Sequence, residues 1–328
     1  MRTYTKIILS EFSPVHFGTG KENYDFSAGF LHSDTLTSAL AAVRAQFGHV
    51  QDVKTFLSSF RLTSAFPYHG SQYFLPKPIG NLDVAIENQD GEFYKKQLKK
   101  IRFVEESLWK RLIRGESLVI HPSQLNGNVL STLGQSTAGM QKSAVQQRVR
   151  LSNDVSEDGD PFFFDWTFFN KNSGLYCLTD ATGAVLEEVL KWFEVLGESG
   201  IGTDKNVGGG TFNTSIAPFE LAHMENPTGQ MLLSLYIPTL EEVSQLKLGN
   251  ACYELVKRGG FMAGSSVEKL RHLRKKNIYA FGVGSHFPVT TSLEGQIVDL
   301  APEWNDVEMH PVWRSGQPIT IPIKFSYE

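Results

Sequence analysis

Residues Gly200 to Phe212 read GIGTDKNVGGGTF. Five glycines in thirteen residues, beside one aspartate and one lysine, allow a phosphate cradle, a hinge, or a backbone surface built for close approach. The flanking residues decide between them. Upstream, TGAVLEEVLKWFEVLGE places Val185, Val189, Trp192 and Leu196 on one helical face. Downstream, TFNTSIAPF has the composition of a strand. A nucleotide-binding loop runs from a strand into a helix, because the helix N-terminus offers free N–H groups to phosphate. Here the order is reversed, position 205 is Lys, and GK[ST] is absent. Gly200 or Gly202 suits a helix C-cap followed by a mobile turn. Gly208, Gly209 and Gly210, directly before a strand, suit a place where another backbone comes very close. On that reading a side chain at Gly209 costs the contact and not the fold.

Working outward, RTYTKIIL at 2–9 alternates as a strand, and SEFSPVHFGTGK is a loop. HSDTLTSALAAVRAQF sets Leu36, Leu40, Val43 and Phe47 on one helical stripe, with Ser33 or Asp34 at the N-cap position. RLTSAF and QYFL form a hairpin about PYHGS, where Pro67 and Gly70 supply the turn. Residues 79–160 are polar and irregular, with a short helix near 96–113. FFFDWTFF is a further strand. The first half spells β-α-β-β-(insert)-β-α-β, a ferredoxin-like order with a large insertion. From 226 onward, GQMLLSLYI, ACYELVKRGG, NIYAFGVGS, GQIVDLAP and ITIPIKF are strand candidates, and TLEEVSQLKL is a helix. This half reads equally as a degenerate second copy or as something else.

The chain has 328 residues, enough for two domains, and 41% hydrophobic residues with 23 Phe to bury cores. A net charge of −4 argues against a non-specific nucleic-acid coat but leaves room for local basic grooves. Eleven Lys/Arg lie between Lys95 and Arg150 against three Glu; Lys269–Lys276 holds five and no acid. The stretch 277–313 has five acids and no Lys or Arg, and faces either a basic partner or solvent. Cys177 and Cys252 form no motif and read as buried thiols of a reducing compartment. No metal-ligand spacing occurs. The N-terminus is too polar for a signal peptide, and no apolar run reaches membrane-spanning length, so a cytoplasmic location without a membrane partner is expected. His16, His32 and Asp34 invite catalytic or phosphate-binding readings, weighed against local capping and packing. Lys142, Arg148 and Arg150 sit in a loop-like stretch before the Phe-rich strand. Arginines beside aromatics suit single-stranded RNA, where phosphates pair with Arg and bases stack on rings.

PVHFGTG, HSDTLTSAL, SAFPY, FLPKP, GIGTDKNVGGGTF, HPVWRSG and IPIKF, in that order, resemble the RAMP superfamily. Within it they are similar to the Cas5-like subunit that caps the crRNA 5′ end in type III-A (Csm) CRISPR complexes. The resemblance covers nearly the whole chain. It implies an α+β fold of two tandem ferredoxin-like (RRM-like) domains, 1–225 with an insertion at about 79–165, and 226–328. It implies a non-catalytic RNA-binding subunit without cofactor, holding the crRNA 5′ tag. The implied neighbours are a large polymerase-type subunit and a backbone RAMP subunit, with no direct DNA contact. Carried over by position, the family's loops fall on His16–Gly20, His32–Asp34 and Gly200–Phe212. The basic run expected before the aromatic strand is nearest in Gln147-Arg148-Val149-Arg150-Leu151, with its acid missing and its arginines shifted. The residues nominated for RNA are His16, Gly18, Gly20, His32, Ser33, Lys142, Arg148, Arg150, Gly202, Lys205, Asn206, Gly208, Gly209, Gly210 and Phe212. Lacking an RNP signature, the chain is expected to use loops and not the sheet face. The rival reading is a metal-independent crRNA-processing endoribonuclease, with His16 or His32 as acid–base group.

Overall fold

The computed structural model describes residues 2–18, 24–80, 83–87, 91–134, 139–150, 159–262 and 264–326, with Arg150 described in its backbone alone. Gly20 lies outside the described residues. The N-terminal segment is built from β1 (Arg2–Ser10), α1 (Ser33–Gln46), β2 (Phe66–His69), β3 (Gln72–Pro76), the ribbon β4 (Gln141–Arg150) and β5 (Asp160–Phe169), β6 (Ser173–Thr179), α2 (Gly183–Ser199) and β7 (Asn213–Leu221).

One sheet runs in the order β7-β1-β6-β2-β3 and continues into Phe103–Glu105, Val129–Leu130 and Leu125–Asn126. β1 is central, antiparallel to β7 (Arg2 opposite Leu221) and to β6 (Thr5 opposite Thr179). Its alternation sends successive side chains to opposite faces. Ile7 and Leu9 pack with Leu36, Leu40, Trp192 and Phe193 of the two helices. Ile8 joins a second core on the other face, with Trp109, Phe219, Met231 and Ile321. Residues 101–130 and the C-terminal segment thus cover the face that the helices leave free. Lys6 is buried there, its ammonium 3.4 Å from the Tyr73 ring centroid and 3.5 Å from Glu106. Among the described residues, both faces of β1 are thus covered.

Several boundaries differ from expectation. The β2–β3 turn is Gly70–Ser71, with Gly70 at φ +57°, and Pro67 lies within β2. The helix expected near 96–113 is two helices, Gly91–Lys100 and Glu106–Leu112, separated by the strand Phe103–Glu105. Residues 141–150 are a ten-residue strand and not a loop, paired along their length with β5. Among the described residues the C-terminal segment has one α-helix, Leu240–Gln245, closed by a Thr239/Glu242 capping box. Its strands form small sheets: Gly229–Leu232 between His286–Phe287 and Thr320–Ile323, Leu255–Arg258 with Ile278–Phe281, and Ile297–Asp299 with Trp313–Ser315. The acidic stretch meets the basic run of its own chain: Lys269 pairs with Asp306 and Glu308, and Lys276 with Glu303. Both cysteines are free thiols, with Cys177 buried.

Ser33 and Asp34 do not cap α1. The N-cap position is His32, whose side chain makes no capping bond. Ser33 instead accepts from the Leu235 N–H (2.9 Å) and donates its own N–H to Ser64 Oγ (3.0 Å). The Asp34 carboxylate is fully buried and takes two bonds from Arg258, Nε at 2.8 Å and Nη2 at 3.0 Å. Arg314 donates to the Asp34 carbonyl at 3.0 Å and lies 3.4 Å from its carboxylate. Burial alone would raise the Asp34 pKa, but Arg314 and Arg258 outweigh it and hold the group at about 2. Burial, reinforced by Arg258, pushes His32 down to about 4.

Replacing Asp34 by Asn should cost about 3–5 kcal/mol, because buried Arg314 and partly buried Arg258 are then left without an anion. A urea midpoint unchanged in the variant would refute this. The pH dependence has a definite sign. Asp34 stabilises above its usual 3.8, and that contribution is lost as pH falls towards about 2. His32 stays neutral when folded, so stability declines as pH falls from 6.5 to about 4, where only the unfolded chain takes up the proton. His32→Gln should flatten the upper part of that decline and leave the lower part intact.

Candidate nucleic-acid interface

α2 ends on Gly200 at φ 78°, whose N–H reaches the Leu196 carbonyl at 2.8 Å. The loop beyond it is closed on itself and is not a mobile turn. The Ile201 N–H bonds the Gly210 carbonyl (2.9 Å), and the Gly209 N–H bonds that of Asp204 (3.2 Å). Between them, Lys205–Val207 form one 3₁₀ turn flanked by left-handed Asp204 (φ 62°) and Gly208 (φ 84°). The loop rests on residues 13–16 of the same chain. Gly210 donates to Pro14 O (3.0 Å), Thr203 to His16 O (3.0 Å), and Ser13 Oγ to Gly208 O (2.8 Å).

The glycines are therefore approached closely by a backbone, and that backbone is the chain's own. A Cβ on Gly210 would lie 1.9 Å from the Ile201 carbonyl oxygen, and one on Gly202 would lie 2.4 Å from that of His16. At Gly209 a Cβ would press on Asp204 O (3.1 Å) and the Trp166 ring (3.2 Å), so a larger residue there disturbs the loop itself. This overturns the expectation that Gly209 can be substituted without cost to the fold. Gly208 alone of the three faces open space. Gly209 and Gly210 are buried, and so is Phe212, whose ring lies 5.2 Å from Phe12. The outward rim consists of Gly202, Lys205, Asn206, Val207 and Gly208, with Gly18 exposed beside it.

The β4–β5 ribbon docks on this loop. Arg148 forms an ion pair with Asp204, and its guanidinium stacks 4.2 Å from the Phe164 centroid and 5.2 Å from that of Trp166. Trp166 Nε1 donates to Gln146 Oε1 at 3.0 Å. Antiparallel pairing puts Lys142, Gln146 and Arg148 on one ribbon face with Phe164 and Trp166. Lys142 is exposed near the ribbon base. Asp204, Phe164 and Trp166 were not nominated from sequence. The signal was Asp204 within the glycine loop itself, an acid spaced to receive one of the loose arginines.

His16 is buried, and its Nδ1 donates to the Asp165 carbonyl at 2.8 Å. Its ring packs 4.7 Å from Phe164, and Nε2 is buried with no hydrogen-bond partner among the described residues. His32 and Ser33 are not brought to the loop; they lie at the joint between α1 and the C-terminal segment. Of the nominated residues, the structure gathers His16, Gly18, Arg148 and the 202–212 set, with Lys142 at the ribbon's other end. Among the described residues, no three His, Cys, Asp or Glu side chains are grouped to hold a metal, and no helix is long and apolar enough to cross a membrane.

Gly210→Ala should lower stability by more than about 2 kcal/mol, as strain at a special φ combined with a backbone clash. Gly18→Ala, which meets nothing nearer than Thr203 Oγ1 at 3.8 Å, should stay within about 0.5 kcal/mol of the parent. Equal thermal midpoints for the two variants would contradict the packing described.

Residues 225–323 match the CRISPR Csm4 C-terminal domain family model. The CRISPR system Cms protein Csm4 of Mycobacterium tuberculosis (strain CDC 1551 / Oshkosh) is 29% identical over 97% of each chain. That of Thermococcus onnurineus (strain NA1) is 24% identical over 74% of this chain and 77% of its own. In fold, the chain is similar to a Csm4 crystallised in a Csm1-Csm4 cassette with cA4 (TM-score 0.61, 17% identity, 99% of each chain). It is also similar to one from a Csm3-Csm4 subcomplex of the type III-A interference complex (TM-score 0.60, 17% identity, 98% and 99%). The chain is thus similar to Csm4 proteins, over residues 225–323 by the family model and over nearly its whole length by the Mycobacterium tuberculosis relative.

Proposed function

We propose that this chain binds the repeat-derived 5′ tag of crRNA without cutting it, and bridges a large polymerase-type subunit to the first backbone RAMP subunit. The observation that carries this is the rim left outward when the glycine loop, the 13–16 segment and the ribbon lock together. Lys205, Asn206 and Gly208 present a charge, an amide and bare backbone there, with Lys142 exposed on the ribbon. A single strand lying on that rim has its phosphates met by ammonium groups and its bases splayed outward for reading. Solved relatives paired with Csm1 and with Csm3 support the two protein neighbours.

Two finer readings belong here as well. The strand order β7-β1-β6-β2, with α1 and α2 packed on one face, supports a ferredoxin-like first unit over 1–225 with its insertion at about 79–165. A family match beginning at 225 supports a boundary there and a degenerate second unit over 226–328. The nuclease alternative draws no support from the histidines. A general base must reach a substrate proton. His16 is buried with Nδ1 committed, and His32 is held neutral in the joint.

Lys142→Ala with Lys205→Ala should weaken binding of tag RNA and lower the salt slope by about 0.7 per lysine, because each releases one phosphate contact. Fluorescence anisotropy across a salt series reads both quantities. An unchanged slope would sink the rim as the phosphate track. Metal-free cleavage of repeat RNA that is lost in His16→Ala would sink the non-catalytic reading.

A further inference from the structure

At the base of the ribbon, β4 and β5 meet the main sheet and leave a hollow of about 390 Å³. This is near the lower end of ligand-pocket volumes, suited to one small planar ring system. The hollow is separate from the glycine-loop rim, which lies along the other face of the ribbon. Gln141 and Phe169 pair across the strands and line it. Lys142, Arg148, Phe164 and Trp166 point to the opposite side.

Its walls are aromatic and held in place. Phe169 packs 4.9 Å from Phe12, and Phe103 packs 5.7 Å from Phe30. The Tyr68 ring stacks on Tyr73 at 5.7 Å, and only a glycine at 174 allows it, since a Cβ there would come within 2.8 Å of that ring. The polar groups are neutral amides and a hydroxyl. Asn126 commits its Nδ2 to Ser131 Oγ (3.0 Å), which leaves Oδ1 as its acceptor end. Ser173 is fixed by His69 Nδ1 at 2.8 Å. None of the lining residues carries a charged side chain. A site built for phosphate or carboxylate would need cations; this one offers rings for stacking and neutral donors and acceptors for an edge.

We infer that this hollow takes one unstacked nucleobase of the bound RNA strand, an inference that rests on the RNA-binding reading above. Exposed apolar residues on the same ribbon face as Gln141 and Phe169 favour a base on a continuous strand over a free nucleoside. Phe163 is 56% exposed, Val145 56% and Val149 54%, and they alternate outward along the ribbon from the hollow. Such residues give neighbouring bases an apolar surface to lie on.

Gly29 lines the hollow at an ordinary backbone angle, and a Cβ there meets only Gln141 Nε2 at 3.8 Å. Gly29→Leu therefore fills the space without straining the chain, and Gly29→Ala serves as control. The full chain is titrated with tag RNA and with the same RNA carrying an abasic ribose at each position in turn. One abasic position should weaken binding to the parent by about tenfold. Gly29→Leu should weaken intact RNA by a similar factor and should lose nothing more with that abasic RNA, a non-additive cycle. Gln141→Ala, at an exposed strand position, should give the same non-additivity in smaller measure and guards against a folding defect in Gly29→Leu. If intact RNA does not bind the parent chain at all, the RNA reading falls and the inference with it. If RNA binds but Gly29→Leu is indistinguishable from Gly29→Ala, or its loss adds fully to every abasic loss, the base pocket alone is wrong.

Discussion

One buried carboxylate holds the two halves of this chain together. Asp34 stands in the first turn of α1, where a negative charge is already favoured by the helix dipole. It is enclosed by Arg258 from one C-terminal strand and Arg314 from another. Burying an ion costs several kcal/mol unless partners replace its water. Here two donations from Arg258, one from Thr35 Oγ1 and the Arg314 guanidinium at 3.4 Å do so, and the cost of failure is what fixes the geometry. Neither arginine has another acidic partner within ion-pairing distance among the described residues, so C-terminal segment and helix must meet in one register. Ser33, bonded to Leu235 on one side and Ser64 on the other, sets the same register through neutral groups.

That docking determines which surfaces of the fold stay open. With the C-terminal segment and the insertion packed on the sheet, Met231, Ile321, Trp109 and Phe219 fill the face opposite the helices. Even Lys6, in the middle of β1 on that face, is drawn into an aromatic box and paired with Glu106. An open four-stranded unit could offer that face to bases, and this one cannot. The accessible surfaces are the rim at the ends of the strands and the ribbon that projects from them. Absence of an RNP signature in the sequence and closure of the sheet face in the fold express the same fact.

The sequence was legible where burial imposes a period. β1, α1, α2 and β7 each face a core on at least one side, and their apolar spacing predicts them. The ribbon was not legible as a strand pair. Residues 141–147 are exposed, so no core selects an alternation, and QKSAVQQRVR reads as loop. The short strands of the insertion fail for a different reason, since two or three residues carry too little pattern to detect. At His32–Asp34 the expected capping is replaced by ties to the C-terminal segment. Capping is the local use of Ser and Asp before a helix, and only the fold brings Arg258 from 224 residues away. The acidic stretch 277–313 was likewise visible, but its basic counterpart proved to be the preceding run of the same chain.

The glycine loop carries the same lesson furthest. Its composition rightly signals a backbone at close range, but composition cannot say whose. In the fold, His16, Ile201, Gly209 and Phe212 supply the carbonyl oxygens that a Cβ at Gly202, Gly210, Gly200 or Gly197 would strike. The enclosed glycines therefore serve the rigidity of the loop. A loop locked by its own hydrogen bonds, with Arg148 tied to Asp204 beneath it, loses little freedom when a ligand arrives. Binding then avoids the ordering cost that a mobile loop would incur. If RNA lies on this platform as proposed, its specificity comes from the side chains at the rim and from the neutral, ring-walled hollow at the ribbon base, because the rigid backbone between them reads no base.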